Sequence, residues 1–294
     1  MSKPAYTIPV DGKVMACLDD SVYTDSVVDH AAWASQRLGA DLVCLHVLDR
    51  QPARPVKADY SGNIGIDTRT ELLEELAEID AQRGRIAMRQ GRALLEQVRE
   101  RATAAGALNA DSLQRHGPLA EALVELETDV RLFVIGKRGE EADFNKGHLG
   151  ANLERSIRSV HRPLLVTSRK FRPVSRFAIA FDGSATTRKC VEMVCMSPLL
   201  KGLECHLIVA GSETSRLREG LDWASAKLEQ AGYKAQLLIE SGDAERVITE
   251  QIGQLEIDLL VMGAYGHSRI RHLIVGSTTT AVLRSCTIPV LLLR

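Results

Sequence analysis

The chain has 294 residues, 45% hydrophobic and only 4% aromatic, with 37 basic residues against 38 acidic and a net charge of −1. That length suits two domains with aliphatic cores. The charge balance excludes the basic surface that holds a phosphate polymer, so nucleic acid is not expected as a partner. No apolar run approaches the ~20 residues needed to cross a bilayer, so no membrane association is expected. Met1–Gly12 carries Pro4, Pro9 and Asp11 where a signal peptide needs an apolar stretch. A cytoplasmic location is expected. Cys17, Cys44, Cys190, Cys195, Cys205 and Cys286 form no CxxC pair, and several sit in apolar runs. Reduced, buried thiols are favoured over a metal site or disulfides.

Strand and helix signals alternate along the first half. Val14–Leu18 reads as strand, Ser26–Leu38 as helix, Asp41–Leu48 as strand and Leu72–Ala105 as helix. Gly84 and Gly91 weaken that last helix. Ala110–Arg115 is a strand, Leu119–Glu127 a helix, Leu132–Ile135 a strand, Leu153–Val160 a helix and Leu164–Thr167 a strand. Continuous apolar strands between helices indicate a parallel sheet covered on both faces.

The same series then recurs. Val14–Ser21 resembles Phe177–Ser184, with Asp19 matching Asp182 at an offset of 163 (182 − 19). Leu132–Gly136 resembles Leu259–Gly263 at an offset of 127 (263 − 136), and Pro163–Val166 resembles Pro289–Leu292 at 126 (289 − 163). The first copy therefore holds about 36 extra residues (163 − 127), around Asp49–Arg85. They open with Pro52, Pro55, Gly62 and Gly65, a loop composition. The expected fold is α/β: two tandem, doubly wound, five-stranded parallel-sheet domains, residues 1–170 and 171–294. The boundary follows the polar, Pro-terminated Arg169–Pro173.

In the second copy, Met262-Gly-Ala-Tyr-Gly266 follows a strand, and nine residues separate Gly266 from Gly276-Ser277-Thr278 at a helix start. Glycine lets the main chain approach a phosphate, and amides at a helix start favour an anion. A plain turn with an N-capping serine is the bland alternative.

The whole pattern, G-x2-G-x9-G-S-T behind a strand with an upstream strand–Asp-Gly-Ser turn, resembles the ATP-binding class of universal stress proteins. The resemblance covers nearly the whole chain, twice. It implies a Rossmann-like fold of the adenine-nucleotide α-hydrolase type, with the nucleotide over the carboxyl ends of the central strands. It places Asp182 near ribose and phosphates, Val209 beside the adenine, and Met262 and Gly263 at the ribose. Gly266, Gly276, Ser277 and Thr278 hold the phosphates. Without the family, Asp182 is a turn cap, and Val209 and Met262 are core. His267, His272, Arg269 and Arg271 in the long loop read as phosphate or metal contacts, or as surface.

The first copy departs from the pattern. Asp19, Val47, Gly136 and Gly139 match, but ten residues precede Gly150, and Ala151-Asn152 replace Ser277-Thr278. Glu140, Glu141 and Asp143 add negative charge, and Lys137 and Arg138 are new cations. A variant site using Gly150 and Asn152, or an empty one, is expected.

No Walker loop, G-x-S-x-G elbow, nucleophile–base pair or metal-ligand spacing is seen. Three readings stand: a cytoplasmic ATP-binding stress regulator, a non-catalytic interaction and dimerisation module with vestigial pockets, or a slow ATPase or autophosphorylating protein. Bound ATP is expected with Mg, since the second loop has no lysine to offset three phosphates. The copies are expected to pack as an intrachain pseudo-dimer through their last strands, with a homodimer and an unidentified protein partner left open.

Overall fold

The computed structural model describes residues 11–48, 66–138, 149–264 and 276–293. The first half runs β1 (Lys13–Leu18), α1 (Thr24–Leu38), β2 (Leu42–Leu48), α2 (Ile66–Ala104), β3 (Asp111–His116) and α3 (Leu119–Leu126). It ends with β4 (Val130–Gly136), α4 (Ala151–Ser159) and β5 (Leu164–Thr167). The second half repeats the series. It runs β6 (Arg176–Ala180), α5 (Ala185–Met196), β7 (Glu204–Ala210), α6 (Ser215–Gln230) and β8 (Ala235–Glu240). It ends with α7 (Ala244–Gln254), β9 (Leu259–Gly263), α8 (Ser277–Ser285) and β10 (Val290–Leu293).

The two five-stranded parallel sheets are fused into one sheet of ten strands, in the order β3-β2-β1-β4-β5-β10-β9-β6-β7-β8. Each half thus has the 3-2-1-4-5 order of a doubly wound nucleotide-binding sheet. Among the described strands the one antiparallel contact is at the centre, where Val290, Leu291 and Leu292 pair with Val166, Leu165 and Leu164. The strands of the two halves therefore run in opposite directions, and their carboxyl ends lie on opposite rims.

The central strands are aliphatic because both their faces are covered. Leu165 is fully buried and Leu291 nearly so. One apolar layer joins α1, α2, α5 and α6; the other joins α3, α4, α7 and α8. Both layers cross the central seam. Each fully buried Leu or Val contributes about 1.5–3 kcal/mol.

The largest departure from the sequence pattern is α2. It starts at Ile66, earlier than Leu72, and has 39 residues against 16 in its counterpart α6. Gly84 and Gly91 do not interrupt it. Gly91 is buried where α2 rests on β2 and β3, and a Cβ there would fall 2.2 Å from Gln114 Nε2. Close packing overrides the weak helix propensity of glycine at that point. Pro52, Pro55, Gly62 and Gly65 lie outside the described residues.

All six cysteines are free, and five are buried. Burial pushes the thiols of Cys44, Cys190 and Cys205 up to about 12, so they pack as small hydrophobes.

A chain ending at Lys170 would bare the β5 edge and one side of both apolar layers. Such an edge templates pairing with another chain. By light scattering it should dimerise or aggregate, and a soluble monomer would show that the seam is not required.

Candidate functional site

In each half the sheet order reverses beside its first strand, between β1 and β4 and between β6 and β9. The crevice at the carboxyl end of such a reversal is where this architecture takes ligands. Asp182, Gly263, Gly276, Ser277 and Thr278 stand at the ends of the elements that flank the second reversal, and Asp19, Gly136, Gly150 and Asn152 at those that flank the first.

The second crevice is built on a tight turn. Phe181 N donates to Ile208 O at 2.9 Å, which closes β6 onto β7. Gly183 has φ 74°, a left-handed conformation that favours glycine. Asp182 Oδ1 accepts from Ser184 N (2.9 Å) and from Thr187 Oγ1 (2.8 Å). Ser184 caps α5, its side chain accepting from Thr187 N. Asp182 therefore organises the turn, yet it remains exposed at the rim. Arg188 reaches back to Gly183 O at 3.4 Å and lies over the Trp223 ring at 5.0 Å.

The facing wall is the end of β9 and the start of α8. Gly276 N donates to Ala264 O at 3.3 Å. Thr279, buried in the first turn of α8, donates to Gly263 O at 3.0 Å. This bond pins the helix start to the strand end. No side chain caps α8, and no acidic residue stands in its first turn. Ser277 and Thr278 are exposed there. First-turn amides of an uncapped helix lack intrahelical acceptors and suit an anion. Gly266, His267, Arg269, Arg271 and His272 lie outside the described residues.

The side chains of Val209 and Met262 are buried. Val209 is 1% exposed and packs in the layer of α5 and α6; Met262 is 5% exposed and packs in the opposite layer.

The first crevice has the same frame with different contents. Strand register revises one match. Cys17 pairs with Leu45 as Ala180 pairs with Ile208, and Cys17 and Ala180 are 163 apart. The next position is His46 in one half and Val209 in the other, so Val47 corresponds to Ala210. The slip arises because Val47 and Val209 share a residue type, whereas strand faces alternate by position. Asp19 again ends the first strand, and Thr24 Oγ1 bonds its carbonyl.

Tyr23 presses on Gly136. A Cβ on that glycine would lie 2.9 Å from Tyr23 Cβ. Lys137 does not face the crevice as a spare cation. Its Nζ donates to Cys286 O (2.6 Å) and Arg284 O (3.2 Å), at the carboxyl end of α8 in the other half. Burial lowers its pKa. Gly150 precedes α4 as Gly276 precedes α8, with Ala151 and Asn152 exposed, but α4 has Glu154 in its first turn. That carboxylate competes with an incoming anion for the same positive helix end. Gly139, Glu140, Glu141 and Asp143 lie outside the described residues.

Thr187, Thr279, Tyr23, His46 and Arg188 were not in the sequence-derived set. The S-x-x-T spacing shared by Ser21–Thr24 and Ser184–Thr187 was the available signal for the threonine that follows each turn. Among the described residues no cluster of three or more His, Cys, Asp or Glu could hold a metal, and no helix is long and apolar enough to span a membrane.

Comparison with known proteins agrees with this architecture. The universal stress protein family matches residues 12–168 and 209–294. The universal stress protein Slr1230 of Synechocystis is 36% identical over 284 residues, covering 96% of this chain and 99% of that protein. Among solved structures, a universal stress protein from Archaeoglobus fulgidus superposes with a TM-score of 0.69 at 19% identity, with 98% of each chain covered. A Pseudomonas aeruginosa UCBPP-PA14 protein gives 0.62 at 17% identity, covering 96% of this chain and 93% of the other.

Thr187→Val keeps the shape of the turn but removes the inner partner of the Asp182 carboxylate. Urea unfolding should show a loss of about 1–2 kcal/mol, as for a hydrogen bond to a charged group. An unchanged midpoint would mean that the bond does not hold the turn.

Proposed function

This chain belongs to the universal stress protein family, and from that premise we propose that its second half binds ATP, with Mg, as a cytoplasmic regulator of a stress response. The observation that carries this reading is the first turn of α8. It is uncapped, free of acidic side chains, glycine-led and hydroxyl-bearing, and it sits at the sheet's switch point opposite Asp182. Ser277 and Thr278 with the first-turn amides would take the phosphates, and Gly263 and Gly276 would let the main chain approach. Adenine would meet the main chain at Val209 rather than its side chain. Mg would supply the positive charge for a triphosphate, with Arg188 as a nearby cation of the protein itself.

In this reading Asp182, which accepts from Ser184 N and from Thr187 Oγ1, holds the turn for the ligand. Residues 1–170 and 171–294 act in this proposal as two units with different fates. Tyr23 over Gly136, Lys137 engaged across the seam and Glu154 at the α4 start favour a first half that is empty or holds another ligand. An Mg-ATP bound only in the second half would lie on the opposite rim from the first crevice.

Calorimetric titration should give one high-affinity ATP per chain. Gly276→Val should abolish it by placing a branched side chain where the amides point. Ser277→Ala should weaken it by about 1–2 kcal/mol, and EDTA should weaken it as well. Wild-type affinity in Gly276→Val would refute the assignment, and two equal sites per chain would refute the asymmetry.

A further inference from the structure

We propose that the projecting part of α2 is a self-association arm, which pairs antiparallel with the same segment of a second copy of this chain. The helix is more than twice the length of its counterpart, 39 residues against 16. At about 1.5 Å per residue, the excess is roughly 35 Å of helix. Among the residues of α2 whose burial is described, those against the sheet lie in its later part, where Gly91, Leu95, Val98 and Ala102 are buried. Every residue from Glu74 to Ile86 is exposed, and a Cβ on Gly84 would meet nothing within 4 Å. A helix exposed on all sides has no packing to hold it, and a short isolated helix is marginal in water.

The arm nevertheless carries an apolar stripe. Leu76, Ile79 and Ile86 are 44%, 40% and 48% exposed. Their spacings of three and seven place them on one face, the pattern of a two-helix seam. Single exposed apolar residues need no explanation, but a stripe on an unpacked helix does.

Charge along the arm identifies the occupant. Glu74, Glu75, Glu78 and Asp80 form an acidic block, and Arg83, Arg85, Arg89 and Arg92 form a basic block behind it. The helix dipole does not account for this division, because its influence fades within the first turn and these acids lie beyond it. A parallel second copy would set acid against acid. An antiparallel copy, about a two-fold axis near Ala81, sets each acidic block beside the other's basic block. The same axis brings Leu76 of one copy opposite Ile86 of the other, five residues either side of Ala81. Ala77, Ala81 and Gly84 leave room for close approach. Such an interface is self-complementary and closes as a dimer. An anionic membrane fits worse, since the acidic block would be repelled.

The test is sedimentation equilibrium of the full chain over a concentration and salt series. Wild type should dimerise, more weakly as salt rises. Arg83→Glu/Arg85→Glu/Arg89→Glu makes an acidic arm, and Glu74→Lys/Glu75→Lys/Glu78→Lys makes a basic one. Each alone should dissociate at least tenfold more readily, and an equimolar mixture should restore a dimer. Restoration also shows that both variants are folded. A wild type that stays monomeric, a dimer that neither variant weakens, or a mixture that stays monomeric would overturn the proposal. So would a monomer that instead binds vesicles containing anionic lipid.

Discussion

One short antiparallel contact governs this molecule. Each half ends in an apolar four-residue strand, and a doubly wound sheet leaves such a strand at its edge. An uncovered apolar edge is a template for aggregation. Here β5 and β10 cover each other, and everything larger follows from that pairing. It makes one sheet of two, runs the apolar layers through both halves and sends the two crevices to opposite rims. Side chains reinforce it. Arg37 on α1 donates to Leu199 O at 2.9 Å and also reaches Lys201 O. Ser26 holds the connecting segment at Ser168 O, and Phe171 lies edge-on to His30 with ring centroids 4.9 Å apart. Lys137 joins the end of β4 to the end of α8.

The repeat lets the two crevices be read against each other. They share a turn that ends the first strand, a threonine five residues after its aspartate, and a glycine that opens a helix. They differ in what surrounds these parts. The second has two exposed hydroxyls and no carboxylate in the first turn of its helix, which like its counterpart lacks a side-chain cap. The first has a tyrosine over its glycine, a carboxylate in the helix turn and a cation committed to the other half. Pairing within one chain ties both halves to one stability, so one crevice can lose ligand contacts while the fold persists.

Much of this was legible in the sequence. Aliphatic strand runs at repeated offsets gave the element order, and β5 matched to the residue. The fusion into one sheet was legible as an edge that needed cover. Positions within strands were less legible. Val47 was matched to Val209 by residue type, but alternation along the strand makes His46 its equivalent, and only register resolves that. Val209 and Met262 read equally as core or as ligand neighbours, because apolar runs buried on both faces do not reveal which neighbour each side chain meets; the structure places both side chains in the core layers. Lys137 reads as a new cation of the first copy, yet its partners are carbonyls 147 and 149 residues away. The start of α2 was placed at Leu72 rather than Ile66, because Asp67, Thr68, Arg69, Thr70 and Glu71 carry no apolar spacing to signal a helix.

The central claim is that the β5–β10 seam makes the halves one cooperative unit. The chain has two tryptophans, Trp33 on α1 and Trp223 on α6, each partly buried against the layer that crosses the seam. Urea unfolding followed by fluorescence in Trp223→Phe reports the first half, and in Trp33→Phe the second. Circular dichroism of each variant gives its global transition. The account predicts that fluorescence and dichroism coincide within each variant, as for a two-state transition. A fluorescence transition clearly separated from the dichroism curve, with one half melting before the other, would contradict it.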